Sequence, residues 1–298
     1  MNILIIGSRG FIGSNCAKYF AQTGNNVFEA DVIDHAVSNY TKLDTINTNF
    51  DTLFTKDAID VCINASGSAH VGFSFEKPDK DFELNVLNVH KLLVAIRTYQ
   101  PNCKFINFSS AAVYGNPETL PIHENAVRNP LSPYGFHKLQ SEYLLKEYNR
   151  FFQIPTCNVR VFSAYGPGLR KQLFWELSQK ALGNPHNIIL YGTGNETRDF
   201  IYIDDLVKAI ELLIDHAAFD GSSYNIASGL ETSIKHVAEL FFESFDQTLT
   251  FSFNNMGKKG DPNNWVADIS ALKQIGFSPK VSLKAGLEQT AFWLKIFS

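Results

Sequence analysis

Two hydrophobic rhythms alternate through the first half of the chain. Short, nearly unbroken apolar or β-branched runs at 2–6, 26–30, 61–64 and 104–108 read as strands. Between them, the stretches 13–23 and 83–99 are longer and read as helices. Continuous apolar strands suit a sheet covered by helices on both faces. Alternation of strand and helix implies right-handed crossovers and parallel pairing. The pattern predicts an α/β protein whose first half is a doubly wound parallel sheet of the nucleotide-binding kind.

A proline-punctuated loop at 130–134 leads into a further helical pattern at about 135–151, in which Leu139, Tyr143, Leu144 and Tyr148 are spaced for a buried face. The pattern stops before Ile154-Pro155. A strand at 156–162 runs into the turn Tyr165-Gly166-Pro167-Gly168, after which the β/α rhythm weakens. We therefore expect a nucleotide-binding domain over 1–165 and a smaller, mainly substrate-binding α/β domain over 166–298. The boundary is expected to be discontinuous, with part of 197–228 returning to the core. Segments 192–195 and 254–264 read as surface loops.

Composition narrows the function classes. With 298 residues, 45% hydrophobic and 19% charged, the chain has material for a large core and none of the bias of disordered or fibrous sequences. A net charge of -4 provides no general positive field for phosphate backbones, so nucleic acid is not expected as a partner. The 25 phenylalanines read as core rather than as a stacking platform for bases. The opening residues lack a basic start and break at Gly7 after a short aliphatic run, unlike a signal peptide or a membrane span; a cytoplasmic protein with no membrane partner is expected. Cys16, Cys62, Cys103 and Cys157 are scattered, with no metal-ligand spacing, so reduced thiols and no metal are expected.

The chemistry begins at Gly7-Ser8-Arg9-Gly10-Phe11-Ile12-Gly13, which follows a predicted strand and opens a predicted helix. Glycines there let the backbone approach a pyrophosphate at a helix N-terminus; a ligand-free tight turn is the alternative. Asp31 ends the second predicted strand, where a carboxylate accepts from ribose hydroxyls and repels a 2′-phosphate. NAD is thereby favoured. Arg9 leaves NADP open, either reaching a 2′-phosphate or standing as a solvated loop charge.

Tyr134 and Lys138 share a helix face at i, i+4. An ammonium and an oxidised nicotinamide both stabilise a phenolate, making the phenol usable as a base near neutral pH. Taken alone, the pair also fits a partly buried tyrosine beside a surface lysine. Upstream, Ser109 and Ser110 close the fourth strand, at the carboxyl end where ligands of open α/β sheets sit; two turn residues bonding local backbone are the alternative. His123 and His137 read as hydrogen-bonded structural groups.

Together these motifs resemble the extended short-chain dehydrogenase/reductase family, in particular its nucleotide-sugar epimerases, dehydratases and 4-keto-sugar reductases. The similarity runs nearly end to end. It rests on the glycine loop, Asn85 in Leu-Asn-Val-Leu-Asn, Ser110 four residues before Tyr114 of Val-Tyr-Gly, the segment from Pro130 to Lys138, Arg160 before Tyr-Gly-Pro, Arg198 in Thr-Arg-Asp-Phe-Ile-Tyr, and Ala267-Asp268-Ile269-Ser270. The resemblance implies a Rossmann-type first domain holding NAD(P), and a catalytic set in which Tyr134 is the acid/base, Lys138 lowers its pKa and binds ribose, and Ser110 bonds the reacting sugar oxygen. Gly7, Arg9, Gly10, Phe11, Ile12, Gly13, Asp31, Ala65 and Asn85 are implied on the cofactor side. Ser110, Ala111, Ser163, Arg198 and Lys258 are implied on the side of a nucleotide-diphosphate sugar. For Arg198 the alternative is a surface ion pair with Asp199 or Asp205. Homodimerisation through two helices per subunit is also implied.

Departures from the family pattern select among its activities. The family's dehydratases carry an Asp-Glu pair directly after the Ser/Thr, and this chain has Ala111-Ala112, which speaks against dehydration. Ser163 stands for a common Asn, and Lys258 for a common Arg. The expected activity is C4 epimerisation of a nucleotide sugar through a keto intermediate. The alternatives are a 4-keto-6-deoxysugar reductase, a dehydrogenase of other small alcohols, and a non-catalytic NAD(P) sensor, against which the joint presence of Ser110, Tyr134 and Lys138 speaks.

Overall fold

A computed structural model describes residues 1–45, 48–183, 187–245, 249–257 and 260–297. In chain order its strands are β1 (Asn2–Ile6), β2 (Asn26–Asp31), β3 (Tyr40–Lys42), β4 (Val61–Asn64), β5 (Lys104–Ser110), β6 (Thr156–Val161), β7 (Ser163–Tyr165), β8 (Ile188–Leu190), β9 (Thr197–Tyr202), β10 (Asp220–Ile226), β11 (Glu231–Ser233) and β12 (Phe251–Phe253). Seven of them form one parallel sheet in the order β10-β6-β5-β4-β1-β2-β3. The order runs outward in both directions from β1 and β4, leaving a crevice between their carboxyl ends, where ligands of such sheets bind.

Alternation along β1 shows why both faces are apolar. Ile3 and Ile5 enter a cluster with Cys16, Phe20, Leu206 and Ile210. Leu4 and Ile6 point the other way, to Leu92, Leu93 and Ile96. Helices Phe11–Gln22 and Ile203–His216 thus cover one face, and helix Asn88–Tyr99 the other.

The predicted strands and helices are present, and the seven-stranded sheet holds two further strands that the hydrophobic pattern did not mark. β3 is only three residues long, and β10 starts Asp-Gly-Ser-Ser, so neither carries an apolar run that marks it in sequence. Both lie at edges of the sheet, where half the pairing and less burial suffice. The stretch read as one helix over 83–99 begins as a wider π-helical turn, Glu83–Leu87, before the α-helix Asn88–Tyr99.

The C-terminal part consists of a three-stranded sheet, β11-β9-β7, a parallel pair, β12-β8, and the helices Gln172–Gly183, Ile234–Glu243 and Leu283–Phe297. Two buried carboxylates fasten it. Asp199 accepts from the Ser228 N–H and hydroxyl (2.8 and 2.7 Å) and from the Gly229 and Ala267 N–H groups (2.9 and 3.1 Å). Asp205 accepts from the N–H groups of Lys280 and Val281 (2.9 and 3.0 Å). Among the described residues, no helix is long and apolar enough to cross a membrane.

Candidate active site

The glycine loop joins β1 to the Phe11–Gln22 helix at the crevice. Gly7 adopts φ 80°, a left-handed conformation that side chains resist, and its N–H donates to Ala30 O at 2.8 Å. A Cβ on Gly7 would lie 2.7 Å from Ser66 N, and one on Gly13 would lie 2.1 Å from Gly7 O, so both positions require glycine for the helix, the strand and the segment at Ala65 to pack this closely. Gly10 caps the helix without a side-chain bond, and its first turn carries no acidic residue. The free N–H groups and the positive dipole end are therefore available to a diphosphate. Phe11 and Ile12 are half-buried against the core beneath.

Asp31 ends β2 and is 9% exposed. One carboxylate oxygen accepts from Arg9 N–H at 2.8 Å, and the other from Val32 and Ile33 N–H at 2.7 and 3.3 Å. The residue ties the loop to β2 while its first oxygen keeps a lone pair for a ribose hydroxyl. The Arg9 guanidinium is ion-paired to Glu29 on β2, so the cation that argued for a 2′-phosphate is already neutralised. Asn85, placed by the π-helical turn, is 1% exposed, and neither its amide nitrogen nor its oxygen has a hydrogen-bond partner. An unsatisfied buried amide is costly, roughly 1–3 kcal/mol for each group. It fits a ligand that brings donors and acceptors of its own, and with the capless helix it makes these residues suited to a dinucleotide.

The helix Pro133–Phe152 carries the acid/base pair. Ser132 Oγ caps it by accepting from Gly135 N–H at 3.2 Å, and Pro133 occupies the first turn, where no backbone donor is missed. Tyr134 and Lys138 are both buried, with Lys138 Nζ donating to Phe108 O at 2.9 Å and lying 5.9 Å from the centre of the Tyr134 ring. Lys138 is thus a buried lysine and not a surface one. Ser110 Oγ accepts from Ala112 N–H at 3.1 Å, and its hydroxyl acts on the Tyr134 phenol in the direction that favours the phenolate. Burial, opposed by Ser110 and aided by the Asp81 carboxylate, pushes the phenol up to about 12. Burial pushes the Lys138 ammonium down to about 8, opposed by Asp81. Ser109 faces the other way, donating to Glu142 Oε1 at 2.7 Å, because successive strand residues point to opposite faces.

Across the crevice, Arg198 on β9 stacks over Trp265, with 5.6 Å from its guanidinium carbon to the ring centre, and donates through Nη1 to Thr197 O and Asn263 O at 2.8 and 3.1 Å. Asp199 and Asp205 are taken up by the backbone groups described above, so neither holds Arg198 in an ion pair. Burial lowers the guanidinium's pKa. Trp265 Nε1 donates to Gly115 O at 2.9 Å, which fastens this wall to the Val113-Tyr114-Gly115 segment beside Ser110. Ser163 opens β7, half-buried in register with Phe200. Ala111 is fully buried among Tyr114 and Trp265, leaving half-buried Ala112 at the surface of that turn. Lys258 lies outside the described residues. His123 is exposed, its Nδ1 accepting from Asn125 N–H at 3.1 Å.

Three groupings were not read from sequence. Asn64, Asn107 and Asn158 are register partners on β4, β5 and β6; the Asn64 amide donates to Asn107 Oδ1 at 2.9 Å, and the Asn107 amide to Asn158 Oδ1 at 3.5 Å and Ser141 Oγ at 3.3 Å. An asparagine within each apolar run was the available signal. Arg160 forms a buried two-pronged bond to Glu142 (2.8 and 2.7 Å) and donates to Tyr114 OH and Glu124 O, both at 2.7 Å. Asp81 and His137 meet at 2.6 Å immediately behind Tyr134 and Lys138.

Known proteins are similar to this chain in sequence and fold. A putative UDP-glucose 4-epimerase of Methanocaldococcus jannaschii is 29% identical over 307 residues, covering 98% of each chain. A dTDP-D-glucose 4,6-dehydratase of Dictyostelium discoideum is 26% identical over 355 residues, covering 98% of this chain and 81% of its own. The solved UDP-glucuronic acid 4-epimerase of Bacillus cereus, in complex with UDP-glucuronic acid and NAD, superposes over 100% of both chains with a TM-score of 0.90 at 27% identity. The model of the NAD dependent epimerase/dehydratase family matches residues 3–227, a span that includes the glycine loop, Ser110, the Tyr134–Lys138 helix and Arg198. With sequence, fold and site geometry in agreement, the chain belongs to the NAD dependent epimerase/dehydratase family of extended short-chain dehydrogenases/reductases.

Proposed function

We propose that this protein is an NAD-dependent epimerase that inverts C4 of a UDP-activated sugar through an enzyme-bound 4-keto intermediate. The observation that carries the reading is half-buried Ser110 beside buried Tyr134 and Lys138, with Ala111-Ala112 directly after Ser110: an acid/base for a hydroxyl proton but no carboxyl groups for dehydration. The epimerase relatives and the NAD-bound structure support it.

The steps fall to these residues as follows. Tyr134, as phenolate, takes the C4 hydroxyl proton, and Ser110 donates a hydrogen bond to the same oxygen. The charged Lys138 brings the phenol within reach of ionisation near neutral pH and holds ribose. NAD, which the glycine loop, Asp31 and Asn85 would hold, would supply reversible hydride transfer at C4, so that the sugar, reoriented as a keto form, could regain the hydride on its other face. Tyr134 then restores the proton, so the cycle ends with no net oxidation. Arg198 holds the diphosphate through donors not used by Thr197 and Asn263, which leaves the sugar free to rotate about its anchor.

The test is incubation of the purified protein with UDP-glucose, UDP-glucuronic acid and their N-acetyl counterparts without added reductant, followed by nuclear magnetic resonance of the C4 configuration. Interconversion with no net change in nicotinamide absorbance is expected. Consumption of added NAD(P)H with a one-way product would replace the reading by a reductase. Arg198→Ala is expected to raise KM for the nucleotide sugar by tenfold or more, the effect of losing roughly 1.5–3 kcal/mol of charge-assisted bonding, with kcat changed little. An unchanged KM would remove Arg198 from the diphosphate site.

The reading extends to a homodimer in the cytoplasm, serving synthesis of sugar polymers. Leu87 and Val94 at helix Asn88–Tyr99, with Phe136 and Tyr143 on helix Pro133–Phe152, are exposed and apolar, which supports packing of these two helices against their symmetry mates. Sedimentation equilibrium at twice the monomer mass is the expected result.

A further inference from the structure

Asp81 and His137 form a polar couple directly behind the acid/base pair, and the steps above do not use them. Asp81 sits on the short helix Pro78–Phe82 with no exposure at all. One of its oxygens meets His137 Nδ1 at 2.6 Å, and the other is buried with no hydrogen-bond partner. His137 lies between Tyr134 and Lys138 on their helix, largely buried, and is edge-on to the Phe82 ring at 5.5 Å. A carboxylate in such a place is expensive unless something nearby returns the cost, and a hydrogen bond from one imidazole leaves half of its acceptors empty.

The surrounding charges leave Asp81 to act on the site. Glu76, Lys77 and Asp79 are exposed, and Lys80 pairs with Glu83 at the surface. On the strand side, Glu142 is held by Arg160. From the neighbouring helix His137 meets Asp81 directly, with Tyr134 three residues before it and Lys138 next to it in the chain, and Asp81 is the carboxylate whose charge bears on the Tyr134 phenol and the Lys138 ammonium.

We propose that Asp81, fixed by His137, is a positioning residue for the catalytic pair: a buried negative charge that keeps Lys138 in its ammonium form and so sets the pH range in which Tyr134 exchanges its proton. The inference rests on the reading of Tyr134 as the acid/base. Its consequence has a definite sign. Removing a negative charge makes every nearby proton easier to lose, so the acid limb governed by Tyr134 and the alkaline limb governed by Lys138 both move to lower pH. A residue that merely supports packing would lower kcat at every pH and leave the limbs in place.

The experiment compares wild type, Asp81→Asn and Tyr134→Phe as purified holoenzymes. Two readouts are taken: the pH profile of kcat for C4 interconversion of UDP-glucose, and tyrosinate ultraviolet absorbance against pH, with Tyr134→Phe as the blank. For Asp81→Asn both limbs and the Tyr134 ionisation are expected about one pH unit lower, a modest shift for a nearby buried charge. Limbs and ionisation at the wild-type pH, whether kcat is unchanged or uniformly reduced, would overturn the proposal. An active Tyr134→Phe enzyme would instead overturn the acid/base reading beneath it, so the two failures are distinct. If Asp81→Asn does not yield folded protein, Asp81→Ser, which still accepts from His137, carries the same expectation.

Discussion

Tyr134→Phe is expected to lose about a hundred- to ten-thousandfold in kcat while retaining its bound cofactor and its fold. That is the range lost when a positioned acid/base is removed. The substitution deletes one hydroxyl from a ring that is 7% exposed. The cradle around it is left unchanged: the Lys138–Phe108 bond, the Asp31 contacts and the glycine loop involve no atom of the phenol. Initial rates with the turned-over UDP-sugar, alongside the nicotinamide released on denaturation, check both halves. Turnover within tenfold of wild type would remove Tyr134 from the proton-transfer step. The burial that raises this phenol to about 12 is also why the reaction depends on company. Without the Lys138 ammonium and the charge of the oxidised cofactor, the base form would be scarce at neutral pH.

The largest expected loss of stability is at Arg160, not in the apolar core. Arg160→Met leaves Glu142, itself 1% exposed, as an unpaired buried charge, and leaves Tyr114 OH and Glu124 O without their donor. Breaking a buried pair from one side destabilises by about 3–5 kcal/mol. A fall in urea midpoint at unchanged slope is the expected observation. The double variant Arg160→Met with Glu142→Leu should recover much of the loss, since removing both charges leaves no ion to solvate. A single variant as stable as wild type would show that water or a rearranged partner reaches Glu142. Because Glu142 stands one turn beyond Lys138 and also accepts from Ser109 beside Ser110, the pair braces the helix and the strand that carry the catalytic set.

Much of this was legible because it is local. The glycine loop, Asp31 at the end of a strand and the Tyr134–Lys138 spacing each depend on residues a few positions apart, whose geometry follows from strand and helix periodicity. The resemblance to a family then added Asn85 and Arg198 and a role for Ser110; in the structure Asn85 is a buried amide without a partner, Ser110 ends β5 half-buried, and Arg198 stacks on Trp265. Two competing readings were left open by residue type alone and resolved by neighbours: Arg9 turned to Glu29, and Arg198 lay on Trp265 instead of pairing with Asp199 or Asp205.

What the chain alone determined, then, was the class of fold and the chemistry of its short motifs, since hydrophobic period and turn residues act over distances the sequence states directly. Pairings between elements far apart in sequence were decided only by tertiary structure. Asp81 reaches His137 across 56 positions, Asn64 reaches Asn107 across 43, and Tyr114 reaches Asn225 across 111. No local propensity encodes such meetings. They arise because a twisted parallel sheet brings the carboxyl ends of its strands to one crevice, and because polar groups sealed there must find each other once water is gone.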